Sequence, residues 1–186
     1  NSERQADFDE TDEAALIREA TEIIGKNEGV APRGWMSPWI SESNTTADLL
    51  KENGYTYIMN WPCDDQPFWM RTRSGPILQV PYPVEINDSP AMLNRRHTPS
   101  DFAEMTIDQF DVMIEECEKQ PLVMGLALHT FVVGQPFRFK HLQRILEHFV
   151  NHPKRDKVWF ARPGEIADHV AGLPRGTVPG SDELAE

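Results

Sequence analysis

Helix-like and strand-like segments alternate along this chain, about five of each, and that alternation limits the fold more than any other feature. Residues 9–27 place Ala14, Leu16, Ile17, Ala20, Ile23 and Ile24 on one helical face. Acidic Asp9, Glu10, Asp12 and Glu13 crowd the start, where the helix dipole favours negative charge, and Gly25 and Gly29 mark the stop. Residues 34–40 form a short apolar stretch. Asn44-Thr45-Thr46 then caps a helix over 47–53, which Gly54 ends. Residues 55–59 are aromatic and β-branched, as a strand requires, and 77–82 follow the Gly75-Pro76 turn as another. Residues 106–119 return to helical spacing through Ile107, Phe110, Met113 and Ile114, until Pro121. Residues 122–128 are continuously apolar, the pattern of a strand buried on both faces. A helix over 139–149, a short strand over 157–161 and a helix through Val170 complete the series.

Such alternation predicts an α/β fold with parallel strands joined by helical crossovers. The chain has 186 residues, enough for one domain with a real core. A closed eight-stranded barrel usually needs about 250 residues. The expectation is therefore an open sheet or part of a barrel over residues 1–171, followed by an irregular tail over 172–186 rich in Pro and Gly. The chain opens Asn1-Ser2-Glu3-Arg4-Gln5, with no initiator Met and no apolar leader, and reads as a fragment or a processed chain.

A formal charge of -12 argues against nucleic acid or an anionic membrane as the partner. No apolar run reaches the roughly 18 residues a membrane span needs. Cys63 and Cys117 lie far apart without metal-ligand spacing, which suggests reduced thiols and a cytoplasmic setting.

The candidate chemistry gathers where strands end, the edge at which parallel α/β folds build their sites. Trp61-Pro62-Cys63-Asp64-Asp65-Gln66-Pro67-Phe68-Trp69 packs two carboxylates between aromatic rings directly after a strand. Rings supply binding area, while carboxylates accept hydrogen bonds and carry protons. The alternative is a proline-braced loop whose rings plug into the core. His129 ends the apolar run 122–128, where an imidazole can exchange protons near neutral pH, or can simply be hydrogen-bonded at a strand end. Gln135 and Arg138 follow it; Trp35 and Trp39 belong to the end of the first short strand, and Tyr82 and Asn87 to the end of the strand over 77–82 and the residues after it. His141 and His148 share one helix, and His152 and His169 sit near helix ends, where a cation suits the dipole. No His-Glu-x-x-His, Cys-x-x-Cys, phosphate loop or Gly-x-Ser-x-Gly is present, and no complete metal site is visible.

Several of these motifs occur in an order that resembles one family. Gly34-Trp35, Asn44-Thr45, Leu49-Leu50 and Gly54-Tyr55 come first; then Asp64-Asp65-Gln66-Pro67-Phe68-Trp69 and Val80-Pro81-Tyr82 with Asn87-Asp88. Leu128-His129, Val133-Gly134-Gln135-Pro136-Phe137-Arg138 and Val158-Trp159-Phe160 before Glu165-Ile166 complete the series. Together they resemble the polysaccharide deacetylase (NodB-like) superfamily, in the branch of allantoinase-like and cyclic-imide hydrolases. The resemblance implies a distorted (β/α) barrel that hydrolyses C–N bonds of amides or ureides, with this chain matching its C-terminal two thirds or so. It implies a divalent metal such as zinc, held by an aspartate and two histidines from strands that precede this sequence, and none of its ligands here. It also implies His129 as the general acid and Asn60-Trp61 in the pocket wall, while the arginine of the family's loop after Gly-Trp is absent from Met36-Ser37-Pro38-Trp39.

The expected function is hydrolysis of a small cyclic amide or ureide. His129, Asp64 and Asp65 are the catalytic candidates, and Trp35, Trp39, Trp61, Phe68, Tyr82, Asn87, Gln135 and Arg138 are candidates for binding substrate. The alternatives are N-deacetylation of an acetylated polysaccharide, or a non-catalytic fragment that binds a ligand. The expected partners are a small-molecule substrate and either a companion N-terminal segment or a second copy covering an unpaired strand edge.

Overall fold

Four short strands form one sheet in the order β1-β2-β4-β3: β1 (Gly34–Trp35), β2 (Tyr57–Ile58), β3 (Phe68–Thr72) and β4 (Gly75–Gln79). The computed structural model describes residues 3–183, and they divide into two compact units, residues 3–80 with 161–183 and residues Pro81–Phe160. The sheet belongs to the first unit.

In that unit β1, β2 and β4 run parallel, with Gly34 opposite Tyr57 and Tyr57 opposite Leu78. Alternate residues of a strand point to opposite faces. Ile58 and Ile77 accordingly pack with Ile17 of α1 (Glu10–Glu28) and Leu49 and Leu50 of α2 (Thr46–Glu52). Tyr57 and Leu78 pack instead with Ala167 and Val170 of α6 (Pro163–Ala171). Ile77, Leu78, Gln79 and Val80 are all at most 1% exposed, so this central strand anchors the unit. Each apolar side chain so buried contributes about 1.5–3 kcal/mol relative to exposure. Asp9 caps α1 by accepting the Asp12 N–H at 3.0 Å, and Gly29 closes it at φ 75°, a conformation glycine adopts without steric cost.

Strand β3 is not among the expected elements. Phe68 and Trp69 open a hairpin with β4, in which Thr72 lies opposite Gly75. The turn falls at Arg73-Ser74, ahead of the Gly75-Pro76 pair that marks it in the sequence. The strand expected over 77–82 leaves the sheet after Gln79, where Pro81 and Pro83 offer no N–H for a ladder. The tail returns to this edge: the Trp69 N–H donates to Pro179 O at 2.9 Å, and Val178 packs against the Leu78 cluster.

The second unit is mainly helical, with α3 (Pro99–Glu116), α4 (Thr130–Val133), α5 (Pro136–Asn151) and a π-helical turn at Ser89–Asn94. Phe102, Phe110 and Ile114 of α3 pack with Leu142, Ile145 and Phe149 of α5. Helix α3 starts well before residue 106 because Thr98 and Asp101 form a reciprocal capping box with Pro99 at the first position.

Two expected strands are corrected here. Residues 122–127 are half-buried and Leu128 is exposed, and among the described residues they form no more than an isolated parallel bridge, Ala127 with Asn87. Their neighbour is the proline-interrupted stretch from Pro81, with Gly125 close against Pro83, so few donors face them. Residues 157–161 also form no ladder among the described residues; a 3-10 turn at Arg155–Lys157 precedes them, and the Arg155 guanidinium lies 4.4 Å from the Phe160 ring centroid. The α/β class stands, with four strands among the described residues rather than about five.

Candidate functional site

Both units carry buried polar groups, and the sharpest arrangement involving a sequence candidate lies in the second. The chain from Ile86 to Asp88 pairs with Ala127: Ala127 N donates to Ile86 O at 3.0 Å and Asp88 N to Ala127 O at 3.1 Å. That pairing brings Asp88 under the N-terminus of α4, where His129 is the capping residue. The Asp88 side chain is fully buried and accepts twice from His129, through the backbone N–H at 2.8 Å and ring Nδ1 at 2.6 Å. A carboxylate only accepts, so Nδ1 carries the proton of this bond and Nε2 is the nitrogen left for other chemistry. The imidazole is 38% exposed, enough for a substrate to reach it, and the Phe131 ring stands edge-on at 5.5 Å.

Around this pair the sequence candidates divide. Asn87 Nδ2 donates to the Tyr82 hydroxyl at 3.2 Å, and Asn87 Oδ1 accepts the Ser89 N–H at 3.3 Å. Burial pushes the Tyr82 phenol above its ordinary range; the bond from Asn87 opposes that shift and the nearby Asp88 charge adds to it. Arg138 donates to Val132 O at 3.2 Å and lies 5.0 Å from the Phe137 ring centroid, which ties α5 to α4. Gln135 is exposed and caps α5 without a side-chain bond.

The first unit gathers a buried network beyond the ends of β1, β2 and β4. Asn60 Oδ1 accepts the Ser37 N–H at 2.8 Å, while its amide donates to Ser37 Oγ at 2.9 Å and to Glu42 Oε1 at 2.6 Å. The Trp61 indole donates to Glu42 Oε2 at 2.7 Å, and the Trp61 N–H to Gln79 Oε1 at 3.2 Å. Burial pushes the Glu42 carboxyl above its ordinary range, against the bonds from Asn60 and Trp61 and with help from the charge of Glu13. Glu13, itself fully buried, accepts from Gln5 at 2.8 Å and from Ser43 and Thr46 at 2.5 Å each.

Trp35 is a core residue of this network: its indole donates to Gln5 at 2.9 Å and Ser37 at 3.0 Å, and its ring meets Tyr55 edge-on. Trp39 and Trp61 are instead exposed, at 67% and 46%. Trp39 and Ile40 hold φ of 56° and 51°, left-handed backbone that costs each roughly 1–2 kcal/mol. Asp64 and Asp65 lie on an exposed loop, where Asp64 Oδ1 accepts the Gln66 N–H at 3.3 Å. Phe68 is half-buried at the start of β3. Arg33, just before Gly34-Trp35, forms an ion pair with Asp168 and donates to Gly164 O at 3.1 Å, binding α6 to β1.

Two further residues of these centres have no local sequence signal. Asp88 was visible beside Asn87, but a bond to a histidine 41 positions away leaves no local signature. Glu42 sits in an unremarkable Ser-Glu-Ser stretch.

The architecture is that of the NodB-like deacetylases and allantoinases, and the likeness holds in sequence as well as fold. A probable polysaccharide deacetylase from Pseudomonas aeruginosa PAO1 superposes with a TM-score of 0.80 at 30% identity, over 90% of this chain and 55% of that one. Puue allantoinase superposes at 0.83 and 30% identity, over 92% of this chain and 57% of its own. A curated putative polysaccharide deacetylase from Schizosaccharomyces pombe is 34% identical over 119 residues, which are 56% of this chain and 35% of that protein. The chain thus spans about a third to somewhat over half the length of these proteins. No protein-family model matches it. Among the described residues no helix is long and apolar enough to cross a membrane.

Proposed function

We propose that the protein hydrolyses non-peptide C–N bonds, with a small cyclic amide or ureide as substrate and His129 as general acid. The observation that carries this reading is the His129–Asp88 pair, a buried carboxylate that fixes an accessible imidazole by two bonds. As water adds to the carbonyl carbon its proton passes to His129 Nε2; the C–N bond then breaks, and the departing nitrogen takes that proton from Nε2, leaving the ring with its proton on Nδ1 against Asp88. Proton transfer of this kind is worth about 10²- to 10⁴-fold in rate. The likeness to Puue allantoinase supports a ureide as the substrate class.

The family resemblance also implies a divalent metal. Around His129 the donors do not fit one: Asp88 is taken up by His129, and the described Asp/His group with ligand spacing consists of Asp111, His148 and His152, without His129. No step is therefore assigned to a metal at His129.

A second reading, N-deacetylation of an acetylated polysaccharide, is favoured by the names of the Pseudomonas and fission-yeast relatives. Assaying the intact protein on allantoin-like ureides and on chito-oligosaccharides separates the two. Ureide turnover that collapses in His129→Ala supports the first reading. Turnover of neither class, or turnover unchanged by the substitution, rejects both.

A further inference from the structure

A second cluster of imidazoles lies in the Pro81–Phe160 unit, where α3 meets the C-terminal end of α5. His148 and His152 stand one helical turn apart, His148 in the last turn of α5 and His152 as its C-cap. Asp111 faces them from α3. His148 Nε2 lies 2.6 Å from Asp111 Oδ1 and His152 Nε2 3.6 Å from the same oxygen. The three ligand atoms all fall within 4.8 Å of one another. Both rings are set by packing rather than left free: Phe110 meets them edge-on at 5.9 and 5.5 Å and stacks on Phe149 at 4.3 Å. The His152 side chain is 13% exposed, His148 30% and Asp111 44%, so one side of the cluster is open to solvent.

We propose that Asp111, His148 and His152 bind a divalent transition-metal ion that clamps α3 to α5. Two imidazole nitrogens and one carboxylate oxygen suit zinc, with solvent in the fourth tetrahedral position, and copper and nickel are further candidates. The carbonyl end of α5 adds a favourable negative potential for a cation. The ion takes the place of the protons that Nε2 of each ring directs at Asp111. Each ring then carries its proton on Nδ1. For His152 this has a visible consequence, because Nδ1 now accepts the Lys154 N–H at 3.1 Å. Binding breaks that bond, so the Lys154 amide becomes a reporter of occupancy at this site. Asp111 lies 37 positions before His148, so no local spacing joins it to the two histidines.

The test is a titration of the intact protein with zinc alone at neutral pH, read by calorimetry and by amide NMR. The expected result is one zinc ion whose affinity falls about tenfold or more in His148→Ala and again in His152→Ala, at least what loss of an outer-shell partner costs. His129→Ala should keep full affinity. Asp111→Asn, which keeps a hydrogen-bond acceptor, supplies a variant that folds if an alanine does not. The Lys154 amide resonance should shift on binding in the wild type and not in the variants. Zinc affinity unchanged in the His148 and Asp111 variants, absence of zinc binding, or zinc binding that leaves the Lys154 amide unmoved would each overturn the proposal.

Discussion

Asp88 and His129 are joined at two points, backbone N–H and ring Nδ1, so both the position and the tautomer of the imidazole are fixed by one buried carboxylate. Orienting a ring this way costs nothing at the moment of reaction, which is the advantage of a preorganised group. Asp88→Asn replaces an acceptor-only group by one that can also present an N–H to Nδ1. Its kcat should fall by about tenfold or more, within the 10²- to 10⁴-fold that general-acid catalysis supplies, while KM changes little. Steady-state kinetics on whichever substrate class is turned over provides the check. Equal losses in binding and turnover would instead mark Asp88 as a substrate ligand.

Burial raises the Glu42 carboxyl above its value of 4.5 in an unfolded chain. The folded state therefore binds this proton more tightly than the unfolded state. Its contribution to stability is full below the unfolded value and is lost as pH rises through the folded one. Glu42→Gln carries no such dependence. The stability gap between wild type and variant should move in the variant's favour on going from about pH 4 to pH 7, as denaturant melts at the two values would show. A gap that stays constant contradicts the burial argument.

The capping box at Thr98 and Asp101 starts α3 far upstream of its first strongly periodic residues. Thr98→Ala should cost about 1 kcal/mol in denaturant unfolding, the usual worth of an N-cap. The Thr98 N–H, donating to Asp101 Oδ2 at 2.9 Å, and then the Thr98 hydroxyl hold the Asp101 carboxyl below its ordinary range. Its share of stability is therefore present above the unfolded value and lost as pH falls through the folded one, so the effect of Thr98→Ala should shrink in strong acid.

Gly125 lies so close to Pro83 that a Cβ would come within 2.5 Å of the Pro83 ring. Gly125→Ala forces the segment that carries Ala127 and His129 away from Pro83. It should destabilise by about 1–3 kcal/mol, the usual cost of overpacking, and should lower kcat through displacement of His129. Thermal melts and kinetics on one preparation read both effects.

The longer helices were plain in the sequence because a helical period runs through them, whereas the four-residue α4 is too short to show one. Asp9 and Gly29 bracket α1, and Gly54, at φ 87°, follows α2. The strands were harder for a physical reason: β1 and β2 are two residues each, and the run 122–128 looks like a buried strand although its neighbour begins with prolines that cannot complete a ladder. β3 carries no clear strand pattern because its Phe68-Trp69 start directly follows Pro62-Cys63-Asp64-Asp65-Gln66-Pro67. In the candidate site, His129 was legible from its place after an apolar run. Its partner Asp88, the Glu42–Asn60–Trp61 network and the Asp111–His148–His152 cluster are contacts between segments distant in sequence, which no local pattern encodes.

The proton-donor role of His129 is tested most directly by varying the leaving group in the intact protein and its His129→Ala variant. An amide or ureide whose departing nitrogen is strongly basic needs the proton, whereas an activated anilide of matched shape does not. The account predicts a loss of about 10²-fold or more for the basic leaving group and a much smaller loss for the anilide. An equal loss for both leaving groups would show that the imidazole of His129 does not protonate the departing nitrogen.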